Sequence, residues 1–113
     1  MLKENLEKLF FQNKTKDQLI EEALTSLSAL IGNALAGDDV NKIKPLLPPK
    51  LQPEDIGVKL KTVCIHLENN EHQTPCAEVC IDLIIERTEQ ELGTYSLYYN
   101  EEAEQVDEVL NLY

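Results

Sequence analysis

The hydrophobic positions of the chain follow a helical period in its N-terminal part. Leucines that recur every three or four positions predict a first helix over residues 2–12 and a longer second helix over residues 16–36. The segment from Thr15 to Gln18 has the pattern of a capping box, in which a hydroxyl residue is followed three positions later by glutamine. This pattern places the start of the second helix at Thr15.

A proline-rich connection separates this helical part from the rest of the chain. We predict a short third helix over residues 40–44. Pro45 should end it, because proline lacks the N–H that a helix interior requires. A further helical turn is predicted over residues 53–56. Neither part has enough apolar surface to fold well alone. We therefore expect one domain over residues 1–113, with a helical half over 1–50 and a sheet half over 57–113.

From Gly57 onward the apolar positions alternate with a period of two, which is typical of half-buried β-strands. Strands are predicted over residues 58–67, 76–86, 94–99 and 106–113, separated by polar turns. The second strand alternates most clearly. Its predicted core face carries Ala77, Val79, Ile81, Leu83 and Ile85, and its other face carries Glu78, Cys80, Asp82, Ile84 and Glu86.

Together these elements predict an α+β fold, in which the N-terminal helices pack on one face of a four-stranded antiparallel meander. The pattern does not decide which face of the third strand is buried, because large side chains occur on both of its faces. One face carries Tyr95, Leu97 and Tyr99, and the other carries Thr94, Ser96 and Tyr98.

Charge is distributed unevenly along the chain. Residues 1–50 carry seven lysines and seven acidic residues, whereas residues 68–113 carry twelve acidic residues and one basic residue, Arg87. The C-terminal segment therefore accounts for the whole net charge of −11. An acidic sheet beside a neutral helical part is the charge pattern expected of a surface that meets a positively charged partner.

The negative charge argues against two classes of partner. A strongly acidic protein repels the phosphates of nucleic acids and the anionic headgroups of a membrane surface, so we expect neither as a partner. The N-terminal residues lack an apolar run followed by a cleavage site. Three cysteines is an odd number, which suits reduced thiols better than a disulfide framework. We therefore expect a cytoplasmic protein.

Five residues with metal-binding or reactive side chains lie close together in the sequence: Cys64, His66, His72, Cys76 and Cys80. Their spacing does not match a zinc knuckle, and Cys76 and Cys80 on one strand would stand roughly 13 Å apart. The acidic surroundings should raise the pKa of the thiols, which disfavours a cysteine nucleophile. Cys64 and Cys80 could face each other across a hairpin, but a reducing compartment disfavours a disulfide. We predict structural cysteines, with neither metal nor disulfide.

The sequence contains no glycine-rich phosphate loop and no nucleophile motif, so we predict neither catalytic residues nor a cofactor. We expect a protein-binding module that neutralises a basic partner, such as a bacterial immunity protein or antitoxin that inhibits a cationic nuclease toxin. Two alternatives stay open: a small ligand-binding or enzymatic domain of cone-shaped α+β fold, and a phage-type acidic mimic of nucleic acid. A homodimer also stays open. The predicted partner-binding residues are Glu78, Asp82, Glu86, Tyr98, Tyr99, Glu101, Glu102, Glu104, Asp107 and Glu108.

Overall fold

One long α-helix and a four-stranded sheet make up the fold in this computed structural model, which describes residues 8, 10–37, 44–68, 71, 72 and 74–113. Strand order in the sheet is β1-β2-β3-β4, so each strand lies antiparallel to its neighbour in sequence. The predicted α+β fold, with an N-terminal helix on a four-stranded meander, is confirmed. Helix α1 spans Lys16–Leu35, and β1 to β4 span Ile56–His66, Cys76–Ile85, Gln90–Tyr99 and Gln105–Leu112.

Two of the predicted helices fall on parts of the chain that are not described. The helix over residues 2–12 lies mostly outside the described residues, although Phe10 is described and is buried in the core. The helix over residues 40–44 lies almost wholly outside them. The turn predicted over residues 53–56 is confirmed as a 3-10 helix at Pro53–Asp55. No helix in the described part of the chain has the length and apolar character needed to cross a membrane.

Helix α1 begins where the sequence predicts it. The backbone N–H of Gln18 donates to Thr15 Oγ1 at 3.1 Å, and the backbone N–H of Thr15 donates to Gln18 Oε1 at 2.8 Å, which completes the capping box. Gly37 follows the helix with a φ of 98°, a left-handed conformation that glycine adopts without strain. The buried stripe of α1 consists of Leu19, Ala23, Leu27, Ile31 and Ala34.

The core lies between α1 and the sheet. As predicted, Val79, Ile81 and Leu83 of β2 are fully buried on the face that turns toward the helix. Ile84 was predicted on the exposed face, and this is wrong, because Ile84 is buried beside Gly57 of β1. A Cβ atom at Gly57 would lie 3.1 Å from Ile84 Cγ1, so the glycine leaves room for the isoleucine.

The sequence does not decide which face of the third strand is buried, and the packing of its tyrosines shows it. Tyr95 and Tyr99 are fully buried on the helix side, and the Tyr99 hydroxyl donates a hydrogen bond to the backbone oxygen of Leu19 at 3.1 Å. Tyr98 therefore points to the opposite side. We call this side of the sheet, which faces away from α1, the outer face.

The turn between β2 and β3 comes earlier than predicted. The sequence suggested a turn over residues 88–93, but the backbone N–H groups of Thr88 and Glu89 both donate to the oxygen of Ile85, at 3.2 and 2.7 Å, and reverse the chain there. Gly93 lies inside β3 instead of in the turn. A Cβ atom at Gly93 would lie 2.1 Å from the backbone oxygen of Asn111, so this glycine permits the close approach of β4.

The core assignment predicts the effect of truncating Ile81, which is fully buried between the sheet and α1. Ile81→Ala should lower the free energy of unfolding by roughly 2–5 kcal/mol, measured in denaturant melts. Cys80→Ala, a control at the adjacent half-buried position on the outer face, should change it by less than about 1 kcal/mol. Equal effects of the two substitutions would contradict the assignment of faces.

Candidate functional site

A row of polar and aromatic side chains crosses the outer face of the sheet. Cross-strand pairing places Cys64 of β1 opposite Glu78 of β2, Glu78 opposite Tyr98 of β3, and Tyr98 opposite Asp107 of β4. Directly opposed residues in a sheet have Cβ atoms roughly 4.5–5.5 Å apart, so adjacent members of this row are in contact range. The row joins residues that are far apart in the sequence.

Three side chains at the β1 end of this row form a tight cluster. His66 Nε2 lies 2.7 Å from Glu78 Oε1, and Cys64 Sγ lies 3.6 Å from His66 Nε2 and 3.7 Å from Glu78 Oε1. These three donor atoms all lie within 4.8 Å of one another. Cys64 and His66 reach the same face because they are two residues apart on one strand, and the strand pairing brings Glu78 to them. We call this group the Cys-His-Glu cluster.

Glu78 is the centre of the hydrogen bonding in the cluster. Its Oε1 is shared by His66 and Cys64, and its Oε2 accepts a hydrogen bond from Ser96 Oγ at 2.5 Å. Partial burial acts to raise the pKa of Glu78, but the hydrogen bonds from Ser96 and His66 and the charge of His66 outweigh it. The pKa of Glu78 therefore lies below its ordinary value, and the carboxylate is ionised at neutral pH.

The geometry of the cluster does not suit a cysteine nucleophile. In a catalytic triad the two ring nitrogens of histidine contact different groups, whereas here Nε2 of His66 is the atom near both Cys64 and Glu78. Burial and the neighbouring Glu78 carboxylate raise the pKa of Cys64 to about 11. Burial also raises the pKa of Cys76. The predicted increase in thiol pKa is confirmed for these two cysteines, with burial as its larger cause.

The other histidine of this region belongs to a second group, at the β4 side of the row. His72 Nε2 lies 2.8 Å from Asp107 Oδ2, and the His72 ring stacks on Tyr98 with a centroid separation of 4.0 Å. Burial and the charge of Glu78 raise the pKa of Tyr98 to about 12, so its hydroxyl stays protonated. Tyr98 therefore packs between His72 on one side and Glu78 on the other.

An acidic cleft opens beside this second group, at the end of the sheet where the β3–β4 loop, residues 100–104, projects. Its volume is about 550 Å³. Among the described residues that line it there is no lysine or arginine. The lining residues are Glu71, His72, Thr74, Pro75, Asn100, Glu101, Glu102, Val106 and Asp107.

Carboxylates crowd one another at this loop. The hydrogen bond and charge of Glu104 raise the pKa of Glu102, whereas hydrogen bonds from Asn100 and Glu102 lower the pKa of Glu104. Both side chains are exposed. A cation that enters the cleft would relieve the repulsion between these carboxylates.

The residues predicted to bind a partner do not form one continuous surface. Glu101, Glu102 and Asp107 meet in the acidic cleft, and Glu104 lies beside them in the same loop. Asp82 and Tyr98 are on the outer face, Glu86 is exposed in the β2–β3 turn, and Glu78 is held by the cluster.

Two of the predicted partner-binding residues lie on the helix side of the sheet. Tyr99 is fully buried in the core. Glu108 lies opposite Leu97 and accepts a hydrogen bond from the Tyr95 hydroxyl at 2.6 Å. Tyr99 is therefore enclosed by the core, whereas Glu108 is exposed on the helix side. On the outer face, the tyrosine of β3 is Tyr98 and the acidic residue of β4 is Asp107.

The sequence did not predict the Cys-His-Glu cluster, although a signal for it was present. The apolar positions of β1 change parity, from Val58 and Leu60 to Val63 and Ile65, which indicates an irregularity in the strand. The structure has a register shift between Leu60 and Thr62. This shift turns Cys64 and the following histidine outward, and the pairing register then brings them to Glu78.

Comparison of the chain with protein-family models, with curated proteins and with solved structures finds no match in any of the three. The interpretation of both sites therefore depends on their own geometry.

The raised pKa of Cys64 predicts slow alkylation. With a pKa of about 11, this thiol should react with iodoacetamide at pH 8 roughly 100-fold more slowly than an ordinary cysteine of pKa 9, in buffer that contains a chelator. Glu78→Gln removes a charge that disfavours the thiolate, so labelling of Cys64 at pH 9 should become faster.

Peptide-resolved mass spectrometry across a pH series measures this labelling. Glu86→Gln removes a carboxylate that is exposed in the β2–β3 turn and should leave the rate unchanged. A Cys64 that is alkylated with a midpoint at or below pH 9 would contradict the described surroundings of the thiol.

Proposed function

We propose that this protein binds a basic protein partner, and that the acidic cleft receives a lysine or arginine side chain of that partner. The observation that carries the proposal is the convergence of Glu101, Glu102 and Asp107 around one concavity, whose described lining residues include neither lysine nor arginine. In such a cleft the potentials of neighbouring carboxylates add, and the low-dielectric walls focus the field. A cationic side chain is the complementary ligand.

The surroundings of the cleft also suit a protein interface. Val106, which lines it, is 52% exposed, and Pro75 adds further apolar surface. Tyr98 lies on the adjoining outer face, partly exposed and held against His72. Aromatic anchors with acidic neighbours give an interface both affinity and electrostatic steering. These features support a macromolecular partner over a free metal ion or a small cation.

The class of partner that fits best is a cationic nuclease toxin, which makes the protein an immunity protein or antitoxin. Nucleases present basic side chains because they bind phosphate. An inhibitor with a concentrated acidic end could occupy such a basic site, and its charge would accelerate the encounter. Exposed carboxylates lie at both ends of the sheet, in the β2–β3 turn and in the β3–β4 loop, and Glu101 and Glu102 of the loop share the acidic cleft with Asp107.

Charge reversal tests the proposal. A tagged copy of the protein is used to capture partners from its source cells at low salt, and mass spectrometry identifies the captured protein. Association rates are then measured with the purified partner. Glu101→Lys combined with Glu102→Lys should slow association by roughly tenfold or more at low salt and flatten its salt dependence. Asp82→Lys combined with Glu86→Lys should act in the same direction, more weakly.

The matched control is Glu21→Lys combined with Glu54→Lys, which makes the same change in net charge at exposed positions outside the acidic cleft. If the control slows association as much as the reversal in the loop, net charge alone steers the encounter and the cleft is not the contact. If neither acidic pair changes the rate, the proposal fails.

Substitution of Tyr98 should change the rate at which the partner dissociates, instead of the rate at which it associates. As a partly buried aromatic beside the cleft, it is the candidate anchor, and Tyr98→Ala should speed dissociation about 30-fold, equivalent to about 2 kcal/mol. Tyr113→Ala, at a tyrosine that is 71% exposed at the C-terminus, should leave the dissociation rate unchanged. A dissociation rate that Tyr98→Ala leaves unaltered would remove this residue from the interface.

A further inference from the structure

The Cys-His-Glu cluster brings together three side chains whose donor atoms are all good ligands for a borderline metal ion. We propose that it binds one Zn²⁺ through Cys64 Sγ, His66 Nε2 and Glu78 Oε1. The proposal stands on the positions of these atoms and is independent of the acidic cleft and of the partner proposed for it.

The distances between the donor atoms fit a tetrahedral zinc site. Zinc binds cysteine sulfur at about 2.3 Å and histidine nitrogen or carboxylate oxygen at roughly 2.0–2.2 Å, which separates neighbouring ligands by roughly 3.4–3.6 Å. The sulfur of Cys64 already lies 3.6 Å from the nitrogen and 3.7 Å from the oxygen. Only the contact of 2.7 Å between His66 and Glu78, now a hydrogen bond, has to widen, by about 0.7 Å.

Secondary structure holds the ligands in place. Cys64 and His66 project from the same face of β1, and Glu78 stands opposite Cys64 on the central strand. Ser96 holds the other carboxylate oxygen at 2.5 Å, which directs Oε1 toward the sulfur and the nitrogen. This is the role of the outer-shell hydrogen bonds that orient ligands in known metal sites. Little movement is needed for binding.

The donor set selects the metal. A thiolate and an imidazole favour zinc over magnesium or calcium, which prefer sites made entirely of oxygen. On binding, the Cys64 S–H bond breaks and its proton leaves to solvent as the zinc–sulfur bond forms. In neutral His66 the proton moves from Nε2 to Nδ1, so that Nε2 can bind the metal.

The site would have three protein ligands and one open position. The side chains of His66 and Glu78 are 27% and 14% exposed, so the fourth position faces solvent on the outer side of the sheet. An open tetrahedral position holds water or an incoming donor atom, whereas purely structural zinc sites are closed by four protein ligands. The geometry therefore points to an exchangeable metal on the surface instead of one that the fold requires.

The test uses the whole chain after treatment with a chelator and its removal. Zn²⁺ is titrated in competition with a chromophoric chelator, and Co²⁺ replaces it as a spectroscopic probe. We expect one Zn²⁺ per chain and, with Co²⁺, a thiolate-to-cobalt charge-transfer band in the near ultraviolet with visible bands of tetrahedral intensity. The wild-type spectrum is informative even if a variant fails to fold.

Substitutions identify the ligands. Cys64→Ser should abolish the charge-transfer band, and Cys64→Ser or His66→Gln should weaken zinc binding by at least about 100-fold. Ser96→Ala, which removes the outer-shell hydrogen bond, should weaken it about tenfold. The matched control is Cys80→Ser, which changes the same residue type outside the cluster and should leave affinity and spectrum unchanged. Circular dichroism of each variant checks folding.

Four results would overturn the proposal. One is a wild-type protein that binds no zinc at micromolar concentration. Another is a cobalt complex without a thiolate band, which would indicate adventitious binding to the carboxylates of the β3–β4 loop. The third is zinc binding that survives Cys64→Ser and His66→Gln but is lost on Glu101→Lys combined with Glu102→Lys. Loss of binding on Cys80→Ser alone would also exclude the assigned ligands.

Discussion

Side-chain alternation along β2 is the constraint on which the rest of the structure depends. This strand pairs with β1 on one side and β3 on the other, so the parity of its residues decides which face every neighbouring side chain occupies. Val79, Ile81 and Leu83 can bury against α1 only if Glu78 and Asp82 lie on the outer face. A shift of one residue would place these carboxylates in the core, which makes the register strongly specified.

Glu78, on the outer face, is a carboxylate whose partial burial would cost free energy if it had no hydrogen-bond partners. Glu78 is only 14% exposed in its side chain, and a half-buried carboxylate must be hydrogen-bonded to offset the loss of hydration. Ser96 and His66 supply those bonds from β3 and β1. The negative charge of Glu78 therefore interacts mainly with groups of the sheet itself. It contributes less to the negative potential of the surface than the acidic composition of the segment suggests.

The sequence was sufficient for the helix start, for the number of strands and for the buried face of β2, because each follows from a local period or a local cap. It was insufficient for the cluster, because the contact between Cys64 and Glu78 depends on the pairing register and on the irregularity between Leu60 and Thr62. The spacing along the chain argues against a metal site, because residues such as Cys76 and Cys80 are too far apart when they lie on the same strand. Cross-strand contacts over 12 to 14 residues have no signature in such spacing.

The conformation of the β3–β4 loop is held by different groups from the carboxylates that line the acidic cleft. Asn100 fixes the loop, since its Oδ1 accepts the backbone N–H groups of Glu102 and Glu104 at 2.9 and 3.0 Å, and Ala103 is buried with a φ of 63°. The Glu102 carboxyl group accepts no backbone hydrogen bond that holds the loop among the described residues, and its hydrogen bond with Glu104, together with the charge of Glu104, raises its pKa. In the proposed complex, a cationic side chain of the partner would replace the repulsion between these carboxylates with attraction.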